Sequence, residues 1–533
     1  MGVTVSHEWW RTAAIYQVYP RSFADGDGDG IGDLAGVRAR LDHLVDLGVD
    51  AVWFGPWYPS PMADAGYDVA DYRDVDPLFG TLDEARSLIA DLHDRGLRSI
   101  VDIVPNHCSS EHAWFREALG ARPGSPARDR FWFRAGRGEH GELAPNDWQS
   151  TFGGPAWTRL PDGDWYLHLF DPGQPDLNWD NAEVRAEFED VLRFWFDLGA
   201  DGIRIDSAAM CVKDPALPEV REGAPHPYVD QDGTHDIYRS WRAVADSYDP
   251  PRALIGEVWL ADSERFAAYL RPDELHTAFN FDFLGCPWDA KELRRIIDDT
   301  FAAHAPVDAP PTWVLANHDV TRHVTRYGRA DTGFDFALRG ARHRLPTDPV
   351  LGLRRARAAA LLTMALPGSV YVYQGDELGL PEVEDLPDEV RDDPMYLRTD
   401  GADPGRDGCR VPLPWTPDEP SFGFGGTPWL PQPRGWAGLA VSAQREDPAS
   451  TLHLYRAALR LRRSLAGPMA WRDAPPEVLA FARPGGFVCV VNLSGGAVPL
   501  PPYEELLLAS GELDDGRLPS DTAAWLRVLD SGA

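Results

Sequence analysis

The sequence predicts an α/β fold: a (β/α)8 barrel with a small domain inserted after its third strand and a C-terminal antiparallel β domain. Two observations predict the barrel. Eight short apolar runs recur along the first 375 residues, and helical patterns precede or separate most of them. Most runs are continuously apolar, as in strands buried on both faces. A doubly wound sheet typically has a Gly-rich, phosphate-binding turn after its first strand, and the sequence has none there.

The predicted barrel strands are Ala14–Tyr19, Ala51–Phe54, Ser99–Val104, Gly202–Asp206, Leu254–Val258, Ala278–Phe283, Trp313–Leu315 and Val370–Tyr373. Three further strands are predicted in the C-terminal domain, at Val478–Phe481, Phe487–Asn492 and Glu505–Leu508. Helical patterns at Leu34–Leu47, Leu82–Arg95 and Ala182–Leu198 each end at a glycine, which is a common helix C-terminal cap.

The alternation of strands and helices is interrupted twice. Residues 108–174 are rich in Gly, Pro and Trp and are too many for an ordinary loop, so we expect a small domain between two barrel parts, 1–107 and 175–466. Residues 375–448 form an irregular Pro/Gly-rich insertion after the eighth strand, at the barrel end where active sites lie. The β domain is expected over 467–533.

Composition excludes several classes of partner. With 51 Lys+Arg against 84 Asp+Glu, the net charge of −33 repels nucleic-acid phosphates and anionic lipid, so neither nucleic acid nor membrane is expected as a partner. One uncharged stretch, 358–375, is broken by Pro367 and Gly368, which favours a helix, a turn and a buried strand over a membrane span.

Cysteine usage and the N-terminus predict the compartment. The five cysteines are scattered without C-x-x-C spacing, and the first residues lack the basic and apolar regions of a signal peptide. Both observations favour reduced thiols and a cytoplasmic protein. We expect a monomer or a homodimer.

Three acidic residues stand at or just beyond the C-terminal ends of predicted strands: Asp206, Glu257 and Asp319. Barrel geometry brings these strand ends together at one mouth. A single carboxylate at such a position is often a helix N-cap, but three of them, after strands four, five and seven, indicate chemistry. Two carboxylates on either side of a glycosidic bond are what glycoside hydrolysis requires.

Basic side chains accompany these carboxylates. Arg204 lies two residues before Asp206, so both side chains share one strand face. A guanidinium there would lower the pKa of Asp206 and keep it ionised as a nucleophile, or would form a structural ion pair at the barrel rim. His107 and His318 follow the third and seventh strands, where they could donate hydrogen bonds to sugar hydroxyls or be ordinary rim histidines.

Four short motifs, DIVPNH, GIRID, GEVW and ANHD, resemble those of the α-amylase superfamily, glycoside hydrolase family 13. The segment QPDLNW resembles an extra motif of the oligo-1,6-glucosidase-like branch, and the similarity extends from residue 9 to about residue 470. The resemblance implies a retaining α-glucosidase in which Asp206 is the nucleophile, Glu257 the general acid and base, and Asp319 a stabiliser of the transition state.

The same resemblance implies how a terminal glucose is held. Tyr67 would stack on the ring, and Asp68 and Arg406 would grip its non-reducing end, which closes the pocket and makes the enzyme exo-acting on short oligosaccharides. For Arg410, an ion pair that holds the loop is an equally good interpretation. The other residues implied at the pocket are His107, Phe152, Phe170, Arg204, Ser207 and His318.

Ser207 bears on the bond that is cleaved. Family members that cleave α-1,6 bonds typically carry Val after the nucleophile, so Ser207 favours α-1,4 bonds, such as that of maltose. An oligo-1,6-glucosidase, a sucrose isomerase or other transglucosidase, and a trehalose synthase are the alternatives that use the same carboxylates. A non-catalytic transporter subunit is a remote alternative, since it would need a membrane helix and would lack the full carboxylate set.

The N-terminal segment Asp25–Asp33 has oxygen ligands at alternate positions, as in the first part of an EF-hand loop. The twelfth position is Gly36 instead of Glu, so this is no EF-hand, and a solvated Asp/Gly turn stays open. The family resemblance implies a structural Ca²⁺ or Mg²⁺ and no organic cofactor. The implied ligands are Asp25, Asp27, Asp29, the Ile31 carbonyl and Asp33.

Overall fold

A computed structural model describes residues 8–529. Residues 1–7, which include the N-terminal stretch inspected for a signal peptide, and residues 530–533, which end the predicted C-terminal domain, lie outside the described residues.

The strands are β1 (Ala14–Val18), β2 (Ala51–Phe54), β3 (Arg98–Ile103), β4 (Phe133–Ala135), β5 (Trp157–Arg159), β6 (Asp164–Leu167), β7 (Gly202–Ile205), β8 (Ala253–Gly256), β9 (Thr277–Ala278), β10 (Thr312–Val314), β11 (Ser369–Tyr373), β12 (Ala470–Trp471), β13 (Val478–Arg483), β14 (Phe487–Asn492), β15 (Val498–Pro499), β16 (Glu505–Ala509), β17 (Arg517–Leu518) and β18 (Thr522–Arg527). The α-helices are α1 (Leu34–Ala39), α2 (Leu41–Leu47), α3 (Leu82–Asp94), α4 (Ala113–Gly120), α5 (Pro126–Asp129), α6 (Ala182–Leu198), α7 (Gly233–Asp246), α8 (Ser263–Ala268), α9 (Phe281–Gly285), α10 (Ala290–His304), α11 (His323–Tyr327), α12 (Arg339–Arg342), α13 (Pro349–Ala365), α14 (Pro394–Arg398), α15 (Val441–Glu446) and α16 (Thr451–Arg462).

Eight parallel strands form a nearly closed barrel in the order β10-β11-β1-β2-β3-β7-β8-β9, which confirms the predicted fold class. Between β9 and β10, the Asn280 N–H donates to the Thr312 carbonyl (3.0 Å) and the Thr277 and Thr312 hydroxyls share a hydrogen bond. Strands such as β1 and β2 are buried at every position, as their continuously apolar runs predict.

Two of the predicted elements fold differently from the prediction. The sixth barrel strand is predicted over Ala278–Phe283 but ends at Ala278, because the Asn280 side chain accepts a hydrogen bond from the Phe283 N–H and starts a short helix. The pattern Leu34–Leu47 forms two helices instead of one, since the chain leaves helical geometry at Arg40 (ψ 7°). The Arg40 guanidinium then lies over the Trp415 ring at 4.7 Å.

Smaller antiparallel sheets accompany the barrel. Strands β4, β5 and β6 form one of them, within the segment between β3 and β7 for which a separate domain is predicted. Near the C-terminus, a second sheet has the order β12-β13-β14-β18-β16. The sequence did not predict β18, which lies between β14 and β16 and is tied to helix α13 by a bond from Trp525 Nε1 to the Leu361 carbonyl (3.1 Å). Among residues 8–529, no helix has the length and apolar character needed to cross a membrane.

Candidate active site

A pocket of about 390 Å³ opens at the C-terminal ends of the barrel strands. Predicted site residues that line it are Tyr67, His107, Phe152, Phe170, Asp206, Ser207, Glu257, Asp319 and Arg406. Arg204, His318 and Arg410 lie directly behind the lining, in contact with its carboxylates. Other lining residues include Asp64, Trp259, Arg339, Met395 and Asp403.

Strand register brings Asp206 and Glu257 together. Each follows the last residue of its strand, and those last residues, Ile205 of β7 and Gly256 of β8, are paired neighbours. The Glu257 N–H continues the ladder by donating to the Ile205 carbonyl at 2.9 Å. Because parallel strands end at the same edge, the two carboxylates emerge side by side into the pocket.

One guanidinium joins the two carboxylates. Arg204 Nη1 donates to Asp206 Oδ1 (2.8 Å), and its Nη2 donates to Glu257 Oε2 (2.6 Å). Arg204 lowers the pKa of Asp206, as expected, but two other effects raise it. Burial and repulsion from Glu257 outweigh Arg204, so the pKa of Asp206 is raised. Asp206 therefore retains a proton more readily than an isolated carboxyl would.

Glu257 is held by two further donors. The Ser207 N–H donates to Glu257 Oε2 and the Trp259 indole N–H to Oε1, both at 2.9 Å. Ser207 has a positive φ of 44°, a conformation that costs a non-glycine residue of order 1 kcal/mol. The Trp259 ring is in turn fixed by stacking on Phe281, with ring centroids 3.6 Å apart.

Asp319 is held from the opposite side of the pocket. It accepts hydrogen bonds from Arg406 Nη1 (3.1 Å) and Arg410 Nη2 (3.0 Å), and its Oδ2 lies 3.4 Å from His318 Nε2. Burial would raise the pKa of Asp319, but His318 and the two guanidiniums hold it well below its ordinary value. Asp319 is therefore ionised.

Both predicted histidines are neutral donors. Burial lowers the pKa of His107 and of His318 to about 3. Gln17 Nε2 lies 2.7 Å from His318 Nδ1, an arrangement that places the ring proton of His318 on Nε2, towards Asp319. The Tyr67 ring stacks on His318 at 5.2 Å, and its hydroxyl donates to Asp102 Oδ2 at 3.1 Å.

The structure corrects the predicted pair of Asp68 and Arg406. Arg406 Nη2 donates to Asp64 Oδ1 at 2.6 Å, and Asp64 lines the pocket. Asp68 is fully buried and accepts hydrogen bonds from the backbone N–H groups of Ala63 (2.8 Å) and Asp64 (3.0 Å). Asp68 thus shapes the loop that presents Asp64. Both carboxylates lie in one short acidic segment, and the sequence offers no signal that separates their roles.

Arg339 is a pocket residue that the sequence did not single out. Its side chain is 3% exposed, and Nη1 lies 3.2 Å from Met395 Sδ and 3.8 Å from Asp403 Oδ1. Its Nε and Nη2 have no hydrogen-bond partner among the described residues. The guanidinium of this lining residue therefore has two nitrogen atoms whose N–H groups no described residue accepts.

The N-terminal acidic loop brings three of its predicted ligands together. Carboxylate oxygens of Asp25, Asp27 and Asp29 all lie within 4.8 Å of one another, which fits a hard cation bound by oxygen atoms. Asp33 is used differently, because its Oδ1 accepts the Gly36 N–H (2.6 Å) and caps helix α1. Ile31 lies in the same loop and is half-buried.

Comparison with known proteins decides the family. Residues 17–467 match the family model described as the catalytic domain of alpha amylase. The chain belongs to the α-amylase family. It is an α-glucosidase-like glycoside hydrolase of family 13, as the resemblance implied.

Relatives of this α-amylase family member resemble it along most of its length. A probable alpha-glucosidase of Rhizobium meliloti (strain 1021) is 38% identical over 530 residues, which cover 92% of this chain and 90% of the relative. An oligo-1,6-glucosidase of Parageobacillus thermoglucosidasius is 34% identical, with 85% and 84% covered. The crystal structure of XgtA, an alpha-glucosyl transfer enzyme, is 36% identical and superposes with a TM-score of 0.85 over 97% of this chain and 99% of that one.

Proposed function

We propose that the protein is an exo-acting, retaining α-glucosidase that releases terminal α-1,4-linked glucose from maltose and short malto-oligosaccharides. The observation that carries the proposal is the pair Asp206 and Glu257, bound to the two terminal nitrogens of one guanidinium. Carboxyls this close suit a retaining mechanism, because an inverting pair must leave room for a water molecule between the carboxylate and the sugar.

The mechanism has two displacements. Asp206 attacks the anomeric carbon while Glu257 donates its proton to the leaving oxygen, so that a glucosyl-enzyme and a free sugar form. Glu257 then removes a proton from water, whose oxygen displaces Asp206 and restores the carboxylate. Ionised Asp319 faces the same pocket, where its charge stabilises the positive charge that develops on the sugar ring.

Exo action is supported by the closed end of the pocket. Arg406 joins Asp64 and Asp319, and Phe152 lies beneath its guanidinium at 5.0 Å. In the proposed enzyme these charged groups bind the hydroxyls of one terminal glucose. They also block a longer sugar chain from extending past it on that side. The neutral His107 lines the same pocket, with its Nε2 3.2 Å from the Tyr67 carbonyl, and the neutral His318 directs its Nε2 towards Asp319.

The bond cleaved is proposed from Ser207, whose small side chain lines the pocket beside the nucleophile. Transfer of glucose to a sugar hydroxyl is the second candidate activity. It is supported by Arg339, which lines the pocket with unpartnered N–H groups, and by the similarity to XgtA.

Two further expectations are also proposals. Ca²⁺ or Mg²⁺ would be held by Asp25, Asp27 and Asp29, and would neutralise their mutual repulsion. We place the enzyme in the cytoplasm, because all five cysteines are free, buried thiols, which suits a reducing compartment.

A substrate panel tests the activity and the mechanism. Maltose, isomaltose, sucrose, trehalose and p-nitrophenyl α-glucoside are compared, and NMR follows the anomer released first. We expect maltose to exceed isomaltose, α-glucose to appear first, and Asp206→Asn to lose at least about a thousandfold in kcat. Exposed Asp94→Asn is the control. β-Glucose as the first product, or an Asp206→Asn variant with more than a few per cent activity, contradicts the mechanism; better cleavage of isomaltose contradicts the linkage.

A further inference from the structure

A second cavity, of about 1180 Å³, lies at the opposite end of the barrel from the substrate pocket. Ala14 and Arg98, the first residues of β1 and β3, line it together with Gly368, which precedes β11. The end of helix α16 and Arg483 of β13 complete its wall, so the cavity lies between the barrel and the C-terminal sheet. This end of a barrel serves stability and carries no part of the catalytic machinery.

The cavity is cationic in a strongly acidic protein. Its lining includes Arg98, Arg252, Arg462, Arg463 and Arg483 but only two carboxylates, Asp50 and Asp201. Those two carboxylates are already engaged, Asp50 with Arg463 at 3.1 Å and Asp201 with Arg252 at 3.4 Å. The other three guanidiniums form no ion pair in the described part of the chain, although the protein has 84 acidic and 51 basic residues.

Two of the unpaired arginines are buried. Arg462 Nη1 donates to the carbonyls of Met364 (2.7 Å) and Leu366 (3.0 Å), and Arg483 Nη1 donates to that of Ala365 (3.2 Å). Arg462 Nη2 also donates to the Gly368 carbonyl, and Arg483 Nη2 donates to the Gly467 carbonyl (3.0 Å). These acceptors are backbone carbonyls, and the end of helix α13 supplies only a partial negative charge instead of a full counter-ion. Each Nε has no hydrogen-bond partner among residues 8–529.

Both guanidiniums have a lowered pKa. Burial lowers the pKa of Arg462 to about 9; Arg483 lowers it further, and Asp50 offsets only part of the shift. Burial lowers the pKa of Arg483 to about 10. Burying a charge without a partner is costly, so an anion in this cavity would be bound favourably.

We propose that this cavity binds a phosphate group, either inorganic phosphate or the phosphate ester of a small sugar, between Arg98, Arg462 and Arg483. A doubly charged tetrahedral anion can accept hydrogen bonds from several guanidinium forks at once, which a single carboxylate or a chloride ion cannot do. The bound group would bridge strand β3 of the barrel floor, helix α16 and strand β13. It would therefore fasten the C-terminal sheet to the barrel and stabilise the whole chain, independently of the proposed glucosidase activity.

Thermal unfolding and calorimetric titration test the site on the full chain. The protein is titrated with sodium phosphate, with glucose 6-phosphate, and with sodium chloride at matched ionic strength, and glucose is kept at one fixed concentration so that occupancy of the substrate pocket stays constant. Arg98→Gln removes a cavity guanidinium that has no ion pair to lose. Arg460→Gln is the matched control, since Arg460 is exposed on helix α16 and does not line the cavity.

We expect a saturable rise in melting temperature with either phosphate source, no such rise with chloride, and a Kd about tenfold higher in Arg98→Gln but not in Arg460→Gln. Equal shifts with inorganic phosphate and glucose 6-phosphate assign the site to free phosphate; a shift with the ester alone assigns it to sugar phosphates. Chloride that reproduces the shift at equal ionic strength, or a folded Arg98→Gln variant that keeps the wild-type Kd for both probes, overturns the proposal.

Discussion

Arg406 donates a hydrogen bond of 2.6 Å to Asp64, across 342 positions of the chain. The contact joins the irregular insertion after strand β11 to the loop after strand β2, and both residues line the pocket. Asp68, four residues away, instead holds the backbone of the same loop.

The two aspartates predict different phenotypes. Asp64→Asn removes the carboxylate charge that lines the pocket beside Arg406, whose guanidinium keeps Asp319 and Asp393 as partners, so we expect kcat/KM for maltose to fall about a hundredfold. Asp68→Asn keeps one acceptor for the loop N–H groups, and we expect a lower melting temperature with less than about a tenfold loss of kcat/KM. Steady-state kinetics and thermal unfolding of both variants check this, and a larger kinetic loss in Asp68→Asn contradicts the assignment.

The effect of replacing Arg339 on kcat/KM should depend on the leaving group of the substrate. Its free donors can bind hydroxyls of a leaving sugar, whereas p-nitrophenol offers no comparable acceptors. We expect Arg339→Gln to lower kcat/KM about tenfold for maltose and to change it little for p-nitrophenyl α-glucoside. Arg342→Gln, on the same helix but paired with Asp331 at 2.7 Å, is the control. Equal losses on both substrates show that Arg339 is merely structural.

The effect of a substitution in the acidic loop on the melting temperature should depend on whether Ca²⁺ is present. In Ca²⁺ we expect Asp27→Ala to lower the melting temperature, because a ligand is lost; in EDTA it leaves the temperature unchanged or raises it, because one repelling carboxylate is gone. Asp33→Ala removes a helix cap and costs about 1 kcal/mol in both media. Thermal unfolding and metal analysis after dialysis check this. If neither Ca²⁺ nor EDTA changes the melting temperature of the wild-type protein, the proposed cation site is wrong.

His93 predicts a dependence of stability on pH. Its Nε2 lies 2.7 Å from Asp201 Oδ2, and this hydrogen bond raises the pKa of His93 in the folded state. The stability that it contributes is therefore full below the unfolded pKa of about 6.5 and is lost as pH rises through the folded pKa. The side chain is 41% exposed, so we expect less than about 1 kcal/mol.

Denaturant unfolding of His93→Gln in phosphate-free buffer measures this contribution. The gap in unfolding free energy between wild type and variant should narrow from about pH 5.5 to about pH 8.5. Exposed His140→Gln is the control. A gap that stays constant over this range contradicts the ion pair.

The sequence by itself determined the fold class, because buried parallel strands leave continuous apolar runs and glycines mark the helix ends. It also determined which carboxylates end barrel strands, since Asp206 and Glu257 adjoin apolar runs whose register follows from the parallel pairing. Strand β18 was missed because its second and third residues, Ala523 and Ala524, carry little of the β-branched signal of a strand.

Only the tertiary structure decided which side chains meet. Asp64 and Asp68 are both aspartates and lie only four positions apart. Which of them faces the pocket is decided by the bond from Arg406, a residue distant in sequence, to Asp64. The raised pKa of Asp206 likewise depends on burial and on Glu257, neither of which is local in sequence. Local patterns fix strands and their ends, because those are short-range preferences; pairings and electrostatic balances arise between segments that only the folded chain brings into contact.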